Sequence, residues 1–352
     1  MNIPSEDIKE IVDGLKNDNY RFEDKTVLLT GCAGFIGRIL VSYFEYLNRK
    51  VLEQPVHVLL VDNYIISDRL NTADPHLTFV NHDITQPFAT KIDPKQPIDW
   101  IINAAGLAAP KDYLRFPKVC MDVGYLGTRN ILDLAHWKET ENVLLFSSSE
   151  VYGNPDPANI PTKETYNGDV PTLADRGCYD FSKKNAEVWS YIYYKYDRVK
   201  STIIRPFNVF GFNNLERDTR VLPSFIYKIL KGQPITIYGD GEQTRTYTYA
   251  TDFIVGLIKT LLHGRPAQAY NIGNEKPEIS LKDIVALLRR TLGVEVEVNF
   301  EPYPADYPKT EPLRRCPDIS KAREQLGFEP AVSLEDGIVR FYTWAKENYL
   351  NK

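Results

Sequence analysis

The tyrosine and lysine of Tyr179-Asp-Phe-Ser-Lys183 are the pair in this sequence best suited to moving a proton. Four positions apart, they share one face of a helix. An ammonium beside a phenol lowers the phenol pKa and lets it exchange protons near neutral pH, while a serine hydroxyl can orient the oxygen being deprotonated. Such hydroxyls stand upstream in Ser147-Ser148-Ser149-Glu150, after an apolar run. The carboxylate that follows them would be costly to bury without a partner or a task. Tyr/Lys pairs also fall on ordinary helices by chance, so this one draws its meaning from what precedes it.

A second cluster suits phosphate. Thr30-Gly31-Cys-Ala-Gly34-Phe-Ile-Gly37 ends a stretch, 25–30, that reads as a buried strand, and opens another, 35–46, that reads as a helix. Glycines there let the backbone approach a pyrophosphate, whose charge meets the amides and positive dipole end of the helix. The spacing is GxxGxxG, and any tight turn wants glycine, so the strand–turn–helix context is what makes it informative. The next apolar run, 57–62, closes on Asp62, where a carboxylate can accept hydrogen bonds from ribose hydroxyls and so favours NAD over NADP. Asp83 and Asn103-Ala-Ala-Gly106 also follow apolar runs, at the strand ends where open sheets bind ligands.

Positioning these groups requires a regular frame. Apolar runs recur at 58–61, 77–80, 100–102, 143–146 and 202–204, with helix-like stretches between several of them, notably 118–135 and 179–196. Strands alternating with helices imply an α/β fold with a Rossmann-type, doubly wound parallel sheet. Ahead of it, Ile8, Ile11, Val12 and Leu15 have the spacing of a short amphipathic helix. Beyond Arg205 the pattern is broken by Pro223, Pro234, Pro266 and Pro277 and by a proline-rich stretch at 302–317. The expected organisation is a dinucleotide domain over 1–205, with 236–272 returning to it, and a smaller interleaved α/β substrate domain over 206–352. Residues 157–175 read either as a loop reaching over a site or as a plain surface excursion.

Composition removes several function classes. Of 352 residues, 42 are Lys or Arg and 47 Asp or Glu, a net charge of −5 without basic blocks, which suits neither nucleic acid nor an anionic membrane surface. Cys32, Cys120, Cys178 and Cys316 lie far apart with no Cys/His cluster, so no metal site and no disulfide framework is expected, and a reducing, cytoplasmic setting is. Neither a signal peptide nor an uncharged apolar run of about 18 residues is visible.

Taken together, the motifs resemble the extended short-chain dehydrogenase/reductases, the NAD-dependent nucleotide-sugar epimerases and dehydratases, over nearly the whole chain. The resemblance rests on Gly31/Gly34/Gly37, Asp62, Ser148 with Tyr179 and Lys183, Ser149-Glu-Val-Tyr-Gly153, Arg205-Pro-Phe-Asn-Val-Phe-Gly211 and Tyr238-Gly-Asp-Gly-Glu-Gln-Thr-Arg245. It implies NAD held by Gly31, Gly34, Phe35, Ile36, Gly37, Asp62, Asp83, Ile84, Ala105, Tyr179, Lys183 and Pro206. Tyr179 would be the base, Lys183 would hold the nicotinamide ribose, and Ser148 would stand at the usual Ser/Thr position. Tyr113, Arg176, Asn208, Leu222, Arg245 and Arg315 would bind a nucleotide sugar, a UDP-sugar by analogy, with Asn208 and Arg245 facing its diphosphate. A homodimer packed through the helices around 118–135 and 179–196 is implied as well.

Within that family the 4,6-dehydratases usually carry Asp-Glu where this chain has Ser149-Glu150. Ser-Glu is similar to the UDP-glucuronate decarboxylases, as are Ala109-Pro-Lys-Asp-Tyr113, Arg176-Gly-Cys-Tyr-Asp180 and Arg314-Arg-Cys-Pro-Asp-Ile319, in which Arg315 matches a catalytic arginine. Cys316 stands for a usual lysine, Ser148 for a threonine, and Phe181-Ser182 for Glu-Gly. The expected reaction is decarboxylation through a 4-keto sugar, with Arg315, Ser149 and Glu150 handling the acid. Alternatives are 4-epimerisation, 4,6-dehydration and a non-catalytic NAD-sensing module.

Overall fold

A computed structural model describes residues 4–214, 216, 218–303 and 312–350. Its centre is β1 (Thr26–Thr30), buried at every position because sheet lies on both sides of it and helices cover both faces. The main sheet adds β2 (His57–Asp62), β3 (Leu77–Asn81), β4 (Trp100–Asn103), β5 (Asn142–Phe146), β6 (Ser201–Pro206) and the later β11 (Ala269–Ile272). All pairs are parallel, and the order is β11-β6-β5-β4-β1-β2-β3. The sheet is thus doubly wound, and the chain reverses direction across it between β1 and β4. At that switch point Thr30 pairs with Asn103 in register, and the Thr30 hydroxyl donates to Asn103 Oδ1 at 2.7 Å. Ligands of open α/β sheets bind in the crevice that opens there.

Helix α1 (Ser5–Leu15) buries Ile8, Ile11 and Leu15, as their spacing predicts, and packs on α2 (Phe35–Lys50) and α8 (Ala250–His263). The stretch expected to form one helix over 118–135 is interrupted. After α3 (Pro110–Arg115) come α4 (Pro117–Asp122), a π-helical turn over Val123–Gly127, and α5 (Thr128–Lys138). The interruption coincides with two glycines used for close approach. A Cβ on Gly124 would lie 2.4 Å from Ser182 of α6 (Gly177–Asp197), and one on Gly127 would lie 2.7 Å from Ile84.

Past β6 the strands shorten. β7 (Val209–Phe210) pairs with β10 (Thr248–Tyr249), β8 (Ile235–Tyr238) with β13 (Val298–Glu301), and β9 (Thr244–Arg245) with both β12 (Ile279–Ser280) and β14 (Arg314–Arg315). Helices α7 (Val221–Leu230), α9 (Leu281–Leu292), α10 (Ser320–Leu326) and α11 (Leu334–Tyr349) complete this part. Ahead of α9 the chain returns to the main sheet through α8 and β11, while 235–238 stays with β13. Segment 157–175 is stitched down at several points. Gly153 bridges to Asp169, Thr162 bridges to Pro317, and Glu164 accepts from the Asn271 amide at 2.8 Å. Among the described residues no helix is long and apolar enough to cross a membrane.

Candidate active site

Gly31 has φ +68°, and a Cβ there would meet the Ala104 carbonyl at 2.8 Å. A Cβ on Gly37 would lie 2.1 Å from Gly31 O, so this turn closes only with glycine at both places. Gly34 caps α2, and Phe35 and Ile36 form its first turn, where backbone amides point outward. At the end of β2, Asp62 accepts from the Ala33 amide at 2.9 Å and from the Tyr64 amide at 2.8 Å, so both carboxylate oxygens are fixed. A groove lined by Gly31, Gly34, Asp62, Asp83, Ile84 and Ala105 runs from this turn. It continues past Ala105, Gly106 and Leu107 to Tyr179 and Lys183. Glycine turn, helix amides and fixed acid fit a dinucleotide.

Asp83 sits in the groove wall with its oxygens engaged. It accepts from the Thr85 amide and hydroxyl at 2.9 and 2.8 Å and from Asn63 at 3.2 Å. Burial alone would raise its pKa, but these hydrogen bonds outweigh burial and hold it below the usual value. Pro206 ends β6, half-buried.

At the far end of the groove, α6 carries Tyr179 and Lys183 on one face, both buried. The Tyr179 hydroxyl shares a hydrogen bond with Ser148, whose Oγ also accepts from the Glu150 amide at 3.2 Å. Tyr113 stacks on the Tyr179 ring, with centroids 5.0 Å apart and planes 16° apart. Lys183 Nζ donates to Phe146 O at 3.0 Å and lies 5.7 Å from the Tyr179 ring centroid.

Burial dominates the protonation of both groups. Burial pushes Tyr179 well above the ordinary phenol range; the Ser148 hydrogen bond and the Arg220 charge oppose this, and Glu150 adds to it. Burial also pushes the Lys183 amine down to about 8, which leaves it a cation at neutral pH.

Ser149 and Glu150 follow Ser148 in a short 3₁₀ turn at the end of β5, with Ser149 buried. Glu150 is the meeting point of two guanidiniums. Arg315 Nη2 reaches both of its oxygens at 2.7 Å, and Arg176 pairs with Oε2. All three side chains are largely buried. The structure thus brings together Tyr113, Ser148, Ser149, Glu150, Arg176, Tyr179, Lys183 and Arg315 from separate segments. Other expected substrate residues are occupied within the protein. Asn208 donates to Thr246 O at 2.8 Å, and Arg245 donates to Thr244 O and Pro312 O at 2.8 and 2.6 Å. The Leu222 side chain belongs to the main hydrophobic core.

One residue of this neighbourhood escaped the reading of the sequence, and so did the role of another. Arg220 makes a bidentate pair with buried Asp218 and lies 5.7 Å from the Phe35 ring, between the glycine turn and Tyr179. An Asp-x-Arg step carries no motif of its own, so nothing local marked it. Arg205, part of a quoted motif, proves to be a clamp. It grips Glu187 at 2.8 and 2.7 Å and the Tyr152 hydroxyl at 2.8 Å, tying β6 to α6 behind the site.

Residues 27–273 match the NAD dependent epimerase/dehydratase family. The chain belongs to that family. This epimerase/dehydratase homologue is an NAD-dependent enzyme. Two proteins named UDP-glucuronic acid decarboxylase 1 are among its relatives. The one from Arabidopsis thaliana is 32% identical over 93% of this chain and 71% of its own length. The one from Xenopus tropicalis is 34% identical over 89% of this chain and 70% of its own. Among solved structures, an epimerase from Methanothermobacter thermautotrophicus superposes with a TM-score of 0.83 at 25% identity, covering 97% of both chains. A UDP-glucuronic acid 4-epimerase from Bacillus cereus, solved with UDP-glucuronic acid and NAD, superposes with a TM-score of 0.74 at 25% identity, covering 92% of this chain and 99% of that one.

Proposed function

We propose that this enzyme decarboxylates UDP-glucuronate, giving UDP-xylose or the corresponding 4-keto pentose nucleotide. The observation that carries the reading is the convergence of Arg176 and Arg315 on Glu150 beside Tyr179 and Ser148. A carboxylate on C5 of a sugar held at Tyr179 would compete with Glu150 for those guanidiniums, which suit planar, two-toothed recognition of an acid. The names of the relatives support the same choice.

NAD⁺ held along the glycine turn, Asp62 and Lys183 would supply a hydride acceptor for C4, and its reduced form would supply the hydride back where the product is UDP-xylose. Ser148 orients the C4 hydroxyl and Tyr179 takes its proton, leaving a ketone at C4. The C5 carboxylate is then β to that ketone, so carbon dioxide leaves as the C–C bonding electrons pass to the carbonyl oxygen. Arg315 and Arg176 hold the acid before it departs, and Ser149 and Glu150 govern reprotonation at C5. Lys183 steadies the nicotinamide ribose and the developing oxyanion.

The test is to incubate the protein with UDP-glucuronate and follow carbon dioxide and the sugar nucleotides by mass spectrometry and NMR. Release of carbon dioxide with a pentose nucleotide is expected, and Tyr179→Phe should lower the rate by about 10²–10⁴-fold while NAD stays bound. Unchanged mass with inversion at C4 would overturn decarboxylation in favour of 4-epimerisation.

We also propose a homodimer through α6 and the turn before α5. Tyr125, Leu126, Val188 and Tyr191 are exposed there, an apolar group that a second copy would cover. A monomer in sedimentation at high protein concentration would remove this proposal.

A further inference from the structure

Behind the reacting groups, hydrogen bonds run in series through side chains from β5, α6, β6 and β11. Ser147 Oγ donates to Glu187 Oε1 at 2.5 Å, and Arg205 grips both oxygens of that carboxylate. Arg205 Nη1 also donates to the Tyr152 hydroxyl at 2.8 Å, which turns the Tyr152 proton onward to Asn271 Oδ1 at 2.6 Å. Asn271 Nδ2 then gives its two hydrogens to Thr162 O at 2.8 Å and Asp318 O at 3.0 Å. One acceptor and two donors in a single plane are what a carboxamide offers and what a carboxylate or a hydroxyl does not. Tyr152, Thr162 and Asn271 are all buried, so each of these bonds replaces water that cannot reach them.

The two sides of Asn271 lead to the two halves of the charged cluster. Tyr152 closes the 3₁₀ turn Ser149–Tyr152, which carries Glu150. On the other side, Asp318 follows Arg315 in the same segment, and Thr162 holds that segment by its backbone. The Thr162 amide donates to Cys316 O at 2.9 Å, and its carbonyl oxygen accepts from the Asp318 amide at 3.0 Å. The hydrogen bonds of Asn271 go to neither Glu150 nor Arg315. Pairing of guanidinium with carboxylate is directional, so an ion pair between two separately tethered segments needs the tethers fixed against one another. We propose that Asn271 is a positioning residue of the active site, whose carboxamide sets the Glu150 turn and the Arg315 segment in register. Its effect on turnover rests on the proposed reaction; its effect on the ion pair does not.

A double-mutant cycle in urea unfolding tests this. It combines Asn271→Asp, which keeps the acceptor for Tyr152 and loses both donors, with Arg315→Gln, which takes one guanidinium from Glu150. Asn271→Asp should shift the unfolding equilibrium constant by about 10-fold less in the Arg315→Gln background than in wild type, because the register there no longer serves that pair. Additive shifts would overturn the proposal. With UDP-glucuronate, Asn271→Asp should lower kcat by about 10–100-fold while NAD content stays at the wild-type level. A folded variant with full kcat would overturn the proposal as well. If Asn271→Asp does not fold, Tyr152→Phe, which cuts the turn from Asn271 and keeps the ring, takes its place in both measurements. A wild type inert on UDP-glucuronate would sink the proposed reaction instead, and the cycle, which uses no substrate, would still decide the role of Asn271.

Discussion

The turn at 31–37 takes its shape from a few consecutive residues and the strand ends beside them, whereas the cluster around Glu150 gathers Arg176 and an arginine 165 positions downstream. The turn is held by backbone: glycines that leave room, amides that face outward, and one acid fixed by two main-chain donors. The cluster is held by charge, with two guanidiniums and one carboxylate largely out of water. A backbone site tolerates little change of shape, and a charged site tolerates little change of charge. The glycine turn should therefore fail through sterics and the Glu150 cluster through electrostatics.

The largest effect is expected from Glu150→Ala, which leaves two buried arginines without their shared acid and should destabilise the protein by about 3–5 kcal/mol in urea unfolding. Glu150→Gln, which removes the charge and keeps the shape, should lose nearly as much, and a much smaller loss would show that packing rather than charge holds the cluster.

Next comes Lys183, whose buried amine has its pKa lowered from 10.5 to about 8. Below about pH 8 the lysine is charged in both folded and unfolded states, so the desolvation penalty is present in full. Between 8 and 10.5 the unfolded chain binds the extra proton, so folded stability rises with pH there. Lys183→Met should accordingly stabilise the cofactor-free protein at pH 7 by on the order of 3 kcal/mol, less the lost hydrogen bond to Phe146, and the gain should fade by pH 10. Thermal unfolding across that range checks it, and a pH-independent difference would refute it.

Gly37→Ala should cost about 1–3 kcal/mol and lose NAD, because the new methyl meets Gly31 O. Thermal unfolding and dinucleotide extraction read both losses, and retention of NAD would mean that the turn can move. The smallest effect is expected from Tyr113→Leu, which removes the stacking on Tyr179 and should cost about 0.5–1.5 kcal/mol in urea unfolding.

The same contrast explains what could be read in advance. The strands of the main sheet showed as apolar runs because burial on both faces demands them, and β1, β2 and β4 lie within a residue of where those runs place them. The glycine turn, Asp62 and the Tyr179/Lys183 pair were legible because their chemistry depends on short spacings. The π-helical break at 123–127 was not, since it goes with contacts to Ser182 and Ile84 that helical periodicity does not report. Two-residue strands such as β9 and β14 were equally silent, although their pairing sets Arg315 beside Arg245 in register.

By itself, the sequence determined the sheet, the glycine turn and the Tyr179/Lys183 pair on one helix face, because each depends on neighbours a few residues away. Tertiary structure alone decided that Glu150 is shared by Arg176 and Arg315, that Arg220 lies between the glycine turn and Tyr179, and that burial raises the phenol and lowers the amine meant to activate it. Charge and desolvation act through space, and the distances that govern them exist only once the chain has closed on itself.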